Sequence, residues 1–202
     1  MRAFSETTLL VATHNAGKLD EFRQIMGPLG ISVTSAAEHA LPEPEETEST
    51  FVGNARIKAH AAARATGLPA LADDSGLEVM ALDGAPGVYT ADWAETPNGR
   101  DFIMAMEKTH AKLVDCGAPQ PWQARFCCTL VLAWPDGHDE VFEGFVNGQL
   151  VWPYRGQTGH GYDPLFQPDG CSRTFAELTP EEKNALSHRG VAIAALLKGC
   201  FT

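Results

Sequence analysis

An α/β fold is predicted by three features of the chain. Strand-like and helix-like stretches alternate through its first part, glycines close the helices, and long β-type runs dominate its second part. Thr8-Leu9-Leu10-Val11-Ala12 reads as a buried first strand. The polar loop Thr13-His14-Asn15-Ala16-Gly17-Lys18 leads into a helix running to about Leu29, with Leu19, Phe22, Ile25 and Leu29 on one face. Gly30 stops it, and Ile31-Ser32-Val33 makes a second strand. After an acidic segment, Pro42 to Thr50, an alanine-rich helix starts near Thr50 or Phe51 and ends at Gly67. Leu68 to Ala72 then forms a strand expected to deliver Asp73-Asp74 to a tight turn with Ser75-Gly76.

Asp83-Gly84-Ala85-Pro86-Gly87 marks a further turn. A third helix fits Gly99 to about Val114, with Phe102, Ile103, Met106 and Leu113 inward. Ala124 to Trp134 and Val141 to Val146 are strands about Pro135-Asp136-Gly137-His138. Gly156 to Pro164 is a glycine-dense loop without the dinucleotide fingerprint. Thr179-Pro180-Glu181-Glu182 forms a capping box at a helix start. Were that helix unbroken, Lys183 would lie roughly 120–140° around the axis from His188 and Arg189. A break at Ser187, itself a good cap, instead begins a second helix with His188, Arg189 and Gly190 in its first turn.

The 202 residues suit one domain, 1–202. A net charge of −11 argues against nucleic acid or an anionic membrane as a partner. The longest apolar run, Thr129 to Trp134, is strand-sized, and the early Leu9 to Ala12 block is too short for a signal peptide, so a cytoplasmic protein is expected. The five cysteines form no Cys-x-x-Cys pair, which points to reduced thiols and away from zinc.

Three stretches carry chemistry. Asp73-Asp74 places two charges at the rim of a core, a costly arrangement unless a metal or many donors compensate it. The same residues equally suit an Asx-type turn. The Thr13–Lys18 loop, between a strand and a helix N-terminus, is a ready anion site, yet strand–loop–helix junctions with one lysine are common. His188 and Arg189 repeat that arrangement, and Tyr162 offers a flat face beside Asp163 in the glycine loop.

Taken together, Thr13-His14-Asn15-Ala16-Gly17-Lys18 with Glu21, Ala72-Asp73-Asp74-Ser75-Gly76-Leu77, Gly84-Ala85-Pro86-Gly87-Val88-Tyr89, Gly161-Tyr162-Asp163-Pro164-Leu165-Phe166 and Ser187-His188-Arg189-Gly190 resemble the inosine/xanthosine triphosphate pyrophosphatases. The resemblance covers nearly the whole chain, in order. It implies an α/β fold with a long mixed central sheet flanked by helices, two lobes around an active-site cleft, a homodimer and a Mg²⁺ requirement. It also implies hydrolysis of ITP, dITP or XTP to the monophosphate and pyrophosphate. By that resemblance Thr13, His14, Asn15, Ala16, Gly17 and Lys18 hold phosphates, and Asp74 is the general base and a metal carboxylate. Glu45 or Glu46 is the second metal carboxylate, and Ser75 touches substrate. His160, Gly161, Tyr162, Asp163, Lys183, His188 and Arg189 line the nucleobase end. The sequence departs from the usual pattern at His14, His160, Gly53 and Asp92.

The expected reaction is Mg²⁺-assisted attack of water, oriented or deprotonated by Asp74, at the α-phosphorus, with Lys18 meeting charge on the leaving pyrophosphate. Hypoxanthine and xanthine carry an acceptor at position 6. Charged Arg189, Lys183 and His188 donate there and would oppose the amino group of adenine. Two other readings fit the same residues: a pyrophosphatase of pyrimidine or modified nucleotides, and a non-catalytic nucleotide-binding regulator.

Overall fold

The computed structural model describes residues 1–201. In chain order its elements are β1 (Thr8–Val11), α1 (Ala16–Met26), β2 (Ser32–Ser35), α2 (Phe51–Thr66), β3 (Ala70–Val79), β4 (Pro86–Gly87), β5 (Glu95–Thr96), β6 (Gly99–Arg100), α3 (Phe102–Asp115), β7 (Trp122–Ala133), β8 (Asp139–Leu150), β9 (Phe166–Pro168), α4 (Pro180–Leu186) and α5 (His188–Cys200). Pairing orders the main sheet β2-β1-β3-β7-β8-β9, with β4 added to β3. The sheet is mixed: β1 runs parallel to β2 and β3, whereas β3–β4 and β8–β9 are antiparallel. The expected α/β architecture with a long mixed sheet is therefore the one found.

Local chemistry sets the helix ends. Asn15 caps α1, its side chain accepting from the Gly17 and Lys18 amides. A short 3-10 turn, Gly27–Leu29, extends that helix to Gly30, which takes the left-handed conformation at φ 74°. Thr50 caps α2 and Gly67 closes it at φ 71°. Thr179 and Glu182 form the predicted capping box. Ser187 ends α4, and its hydroxyl accepts from the Gly190 amide at 3.0 Å, so the break before α5 falls where its capping chemistry requires.

Contacts divide the chain into two compact units. The first holds Met1–Asp74, Thr129–Glu143 and the chain from Ala192 on; the second holds Ser75–Cys128 and Gly144–Val191. In the first unit the small face of α2 (Ala55, Ala59, Ala62, Ala63) packs on Leu10, Ala70, Ala72, Val131 and Ala133. Side chains of this size let helix and sheet approach closely. The core of the second unit gathers Leu77, Met106, Leu113, Phe126, Leu150, Tyr162, Phe166 and Phe175.

Three expectations are corrected. Asp73-Asp74-Ser75-Gly76 is not a turn, because β3 runs unbroken from Ala70 to Val79. The third helix begins at Phe102 behind an Asp101 cap, and Gly99 belongs to the small β5–β6 hairpin. Ile103, expected inward, is 54% exposed, while Ala105 and Thr109 take the buried face with Met106 and Leu113.

Candidate active site

The sheet geometry of the first unit explains the position of the paired carboxylates. β1 ends at Val11, paired in parallel with Leu71 of β3. Asp73 and Asp74 therefore lie on β3 just past the carboxyl end of β1. The chain leaves β1 for β2 on one side and returns to β3 on the other, a reversal of strand order. Ligands of open α/β sheets bind at such switch points, outside the carboxyl ends of the strands.

Successive side chains on a strand face opposite ways. Ala70 and Ala72 pack against α2, so Asp74 shares their face and Asp73 takes the other. The ion pairs follow this alternation. Lys18, in the first turns of α1, donates to both Asp73 oxygens at 2.9 and 2.7 Å. Lys58, on α2, donates to Glu46 Oε1 at 2.5 Å, and its Nζ lies 3.9 Å from Asp74 Oδ1. One turn before Lys58, the buried Asn54 donates to Asp74 and accepts from the Glu48 amide at 2.9 Å. Two neighbouring carboxylates are thus met by two lysines arriving on separate helices.

Burial pushes the Asp74 carboxyl up to about 6. Lys58 and the Asn54 hydrogen bond oppose that rise, while the negative charges of Glu46 and Asp73 reinforce it. Desolvation wins because Lys58 makes its close contact with Glu46 and stands at the edge of ion-pair range from Asp74. A carboxyl poised near neutrality can take a proton from water and release it again at working pH.

The Thr13–Lys18 loop, expected to hold phosphates, is internally bonded. Thr13 Oγ1 accepts from the Asn15 amide at 3.1 Å, Asn15 Oδ1 accepts from the Gly17 and Lys18 amides, and His14 Nε2 lies 3.0 Å from the Leu41 carbonyl. Asn15 thus covers the amides expected to face an anion, leaving the Lys18 ammonium as the stronger electrostatic element. Glu46 stands beside Lys58, and Glu45 is exposed. Ser75 follows Asp74 on β3, half-buried.

The second unit contains the remaining candidates. Asp163, 3% exposed, accepts from the His160 amide at 2.6 Å and from Lys183 Nζ. Gly159 at φ 85° and Gly161 at φ 64° shape the loop around it, and a Cβ on Gly159 would collide with Asp163 Oδ2. His160 is exposed. Its neighbour Tyr162 is 1% exposed and packs edge-on against Phe102, so it is a core residue and offers no open face to a base. His188 stacks on Phe126 at 5.0 Å, Phe126 on Phe175 at 5.8 Å, and Lys183 lies 5.7 Å over the Phe175 ring. Arg189, half-buried, shares the first turn of α5 with His188. An aromatic row thus links His188 to Lys183, although they start from different helices.

Sequence reasoning missed Lys58 and Asn54. Their signal was the i, i+4 spacing of an amide and an ammonium on an otherwise alanine-lined helix face.

Paired lysines and carboxylates at the switch point of an α/β sheet define a protein built to handle phosphate groups, with a buried acid near neutrality among them. The chain belongs to the Ham1 family, whose model matches residues 9–199. It is 66% identical over 200 residues to the dITP/XTP pyrophosphatase of Ruegeria pomeroyi, covering 99% of this chain and 98% of that one. A HAM1 protein from Coxiella burnetii superposes with a TM-score of 0.90 at 38% identity, covering 96% of this chain and 98% of that one. A nucleoside-triphosphatase, dITP/XTP pyrophosphatase, from Mycobacterium abscessus gives 0.79 at 42% identity over 94% and 98%. The family resemblance read from the motifs is therefore borne out.

Proposed function

We infer that this protein hydrolyses non-standard purine nucleoside triphosphates, dITP, ITP and XTP, to the monophosphate and pyrophosphate. The observation that carries the reading is the buried Asp74 carboxyl, raised to about 6, beside Lys58, Glu46 and the Lys18–Asp73 pair. The dITP/XTP pyrophosphatase activity named for the Ruegeria relative supports it across the full chain.

A divalent cation fits the donor set. Glu46 and Asp74 supply hard carboxylate oxygens around a single ammonium. Among the described residues no three His, Cys, Asp or Glu side chains converge as a ready metal cage. Two carboxylates suit Mg²⁺, which takes one or two of them and completes its shell with waters and substrate phosphates. When bound there, the ion supplies charge neutralisation of the phosphates and lowers the pKa of a coordinated water.

The chain's own groups do the rest. Asp74 takes the proton of the attacking water, whose oxygen bonds to the α-phosphorus. The bond from that phosphorus to the bridging oxygen breaks, and pyrophosphate leaves with its electron pair. Lys18, exchanging Asp73 for phosphate oxygen, meets the charge that develops on the leaving group. In the second unit, the ammonium of Lys183, with His188 and Arg189, donates to the 6-oxo group of hypoxanthine or xanthine, and the exposed His160 borders the base. Adenine would set an amino donor against these donors.

The protein acts as a homodimer in the cytoplasm. All five cysteines are free thiols, the state a reducing compartment preserves.

A pyrophosphate-release assay over ITP, dITP, XTP, GTP, ATP, UTP and dTTP, with and without Mg²⁺, tests the reading. Metal-dependent release confined to the 6-oxo non-standard purines is expected. Release from UTP or dTTP alone, or nucleotide binding without release, overturns it.

A further inference from the structure

Lys58 occupies an unusual place. Its ammonium touches Glu46 Oε1 at 2.5 Å and lies 3.9 Å from Asp74 Oδ1, and its side chain is only 12% exposed. These are the two carboxylates that the preceding reading gives to the divalent cation. A dipositive ion at those two oxygens would meet the Lys58 ammonium at close range, and their repulsion opposes the attraction that draws each of them there. Lysine suits a removable occupant: its charge is a compact point on a long flexible stem. Room for that stem exists, since Lys58 also lines a solvent-open cavity of about 150 Å³ with Pro42, Glu43, Ala61 and Ala62. Glu43 there is an alternative carboxylate.

We propose that Lys58 is a built-in place-holder for the metal: its ammonium fills the position between Glu46 and Asp74 in the metal-free protein, and the arriving cation displaces it. The inference rests on the pyrophosphatase reading and adds an order of events. Metal binding evicts Lys58 from the carboxylates, and the freed ammonium is then available to the triphosphate. The placement also explains how a strand tolerates adjacent carboxylates without metal, since each resting charge already has a lysine near it. Because the ammonium competes with the ion, metal affinity in the absence of nucleotide is lowered by the fraction of time Lys58 holds the site.

The test measures Mn²⁺ binding to nucleotide-free protein by calorimetry for wild type, Lys58→Met and Lys58→Arg. Methionine keeps the length of the stem and removes the charge; arginine keeps the charge. Binding about tenfold or more tighter in K58M, with K58R near wild type, is expected. Equal or weaker binding in K58M overturns the proposal. Should K58M fail to fold, ¹⁵Nζ lysine spectra of the wild type during Mg²⁺ titration decide. A protected Lys58 ammonium signal that disappears as metal saturates supports the displacement, and one that persists at saturation overturns it. Failure of the pyrophosphatase reading is separate, because it shows as wild-type protein releasing no pyrophosphate from any purine triphosphate, whatever its Mn²⁺ affinity.

Discussion

The Lys18 ammonium bonds both carboxylate oxygens of Asp73, at 2.9 and 2.7 Å, and thereby joins α1 to β3 at the end of the sheet where β1 stops. The lysine proposed to meet the phosphates is thus held in place by the neighbour of the proposed general base. Lys18→Met leaves the Asp73 carboxylate, whose side chain is 11% exposed, deprived of this ion pair. Urea denaturation is expected to show a loss of about 1–3 kcal/mol. Turnover of dITP is expected to fall by about 10²–10³, the scale for removing one electrostatic donor from a transition state.

Asp74 sets a stability trade. Its folded pKa, about 6 in the metal-free protein, exceeds its ordinary value of 3.8, so folding favours the protonated form. The associated stability is fully present below about pH 4 and is lost as pH rises through about 6. Two pKa units correspond to about 3 kcal/mol. Asp74→Asn is therefore expected to be more stable than wild type at pH 7.5 by up to about 3 kcal/mol, with the gap closing below pH 4. Denaturation midpoints measured across that range check it.

The activity profile follows from the same group. If Asp74 must be ionised to accept a proton, kcat/KM for dITP rises with pH through a limb near or below 6, because a bound cation favours the carboxylate. A limb absent in Asp74→Glu and wild type alike counts against the assignment.

Asn54 holds the Asp74 carboxyl. Asn54→Ala removes the donor to Asp74 and the acceptor for the Glu48 amide, both from a side chain 2% exposed. Thermal denaturation is expected to report a loss of about 1–3 kcal/mol. The Asp74-dependent limb of the pH profile is expected to move upward, since that hydrogen bond favours the charged form.

In the second unit, Gly159→Ala forces a Cβ against Asp163 Oδ2 at a backbone angle of φ 85°. The loop must give way, releasing the His160 amide and Lys183 from Asp163. A KM for dITP raised about tenfold, with kcat changed less, is expected from steady-state kinetics if this loop serves base binding.

Much of this was legible in the sequence because it is local chemistry. Gly30, Gly67, Thr50, Thr179 with Glu182, and Ser187 mark helix ends through caps that need only a few neighbouring residues. Asp73-Asp74-Ser75-Gly76 misled for the converse reason. Its composition says turn, but distant lysines on α1 and α2 compensate the charges and the strand continues. Tyr162 illustrates a second limit: a tyrosine among glycines reads as available, and only the packed structure places its ring against Phe102 in the core. Lys58 went unnoticed because a lone lysine on an alanine-rich helix is ordinary until its distance to Glu46 is known.

Pyrophosphate release from dITP by Asp74→Asn, with saturating Mg²⁺ at pH 8 and folding verified by circular dichroism, tests the central claim most directly. A well-folded variant losing about 10³-fold or more in kcat is the predicted result. Turnover within a fewfold of wild type would contradict the role given to this carboxyl, and with it the mechanism built around it.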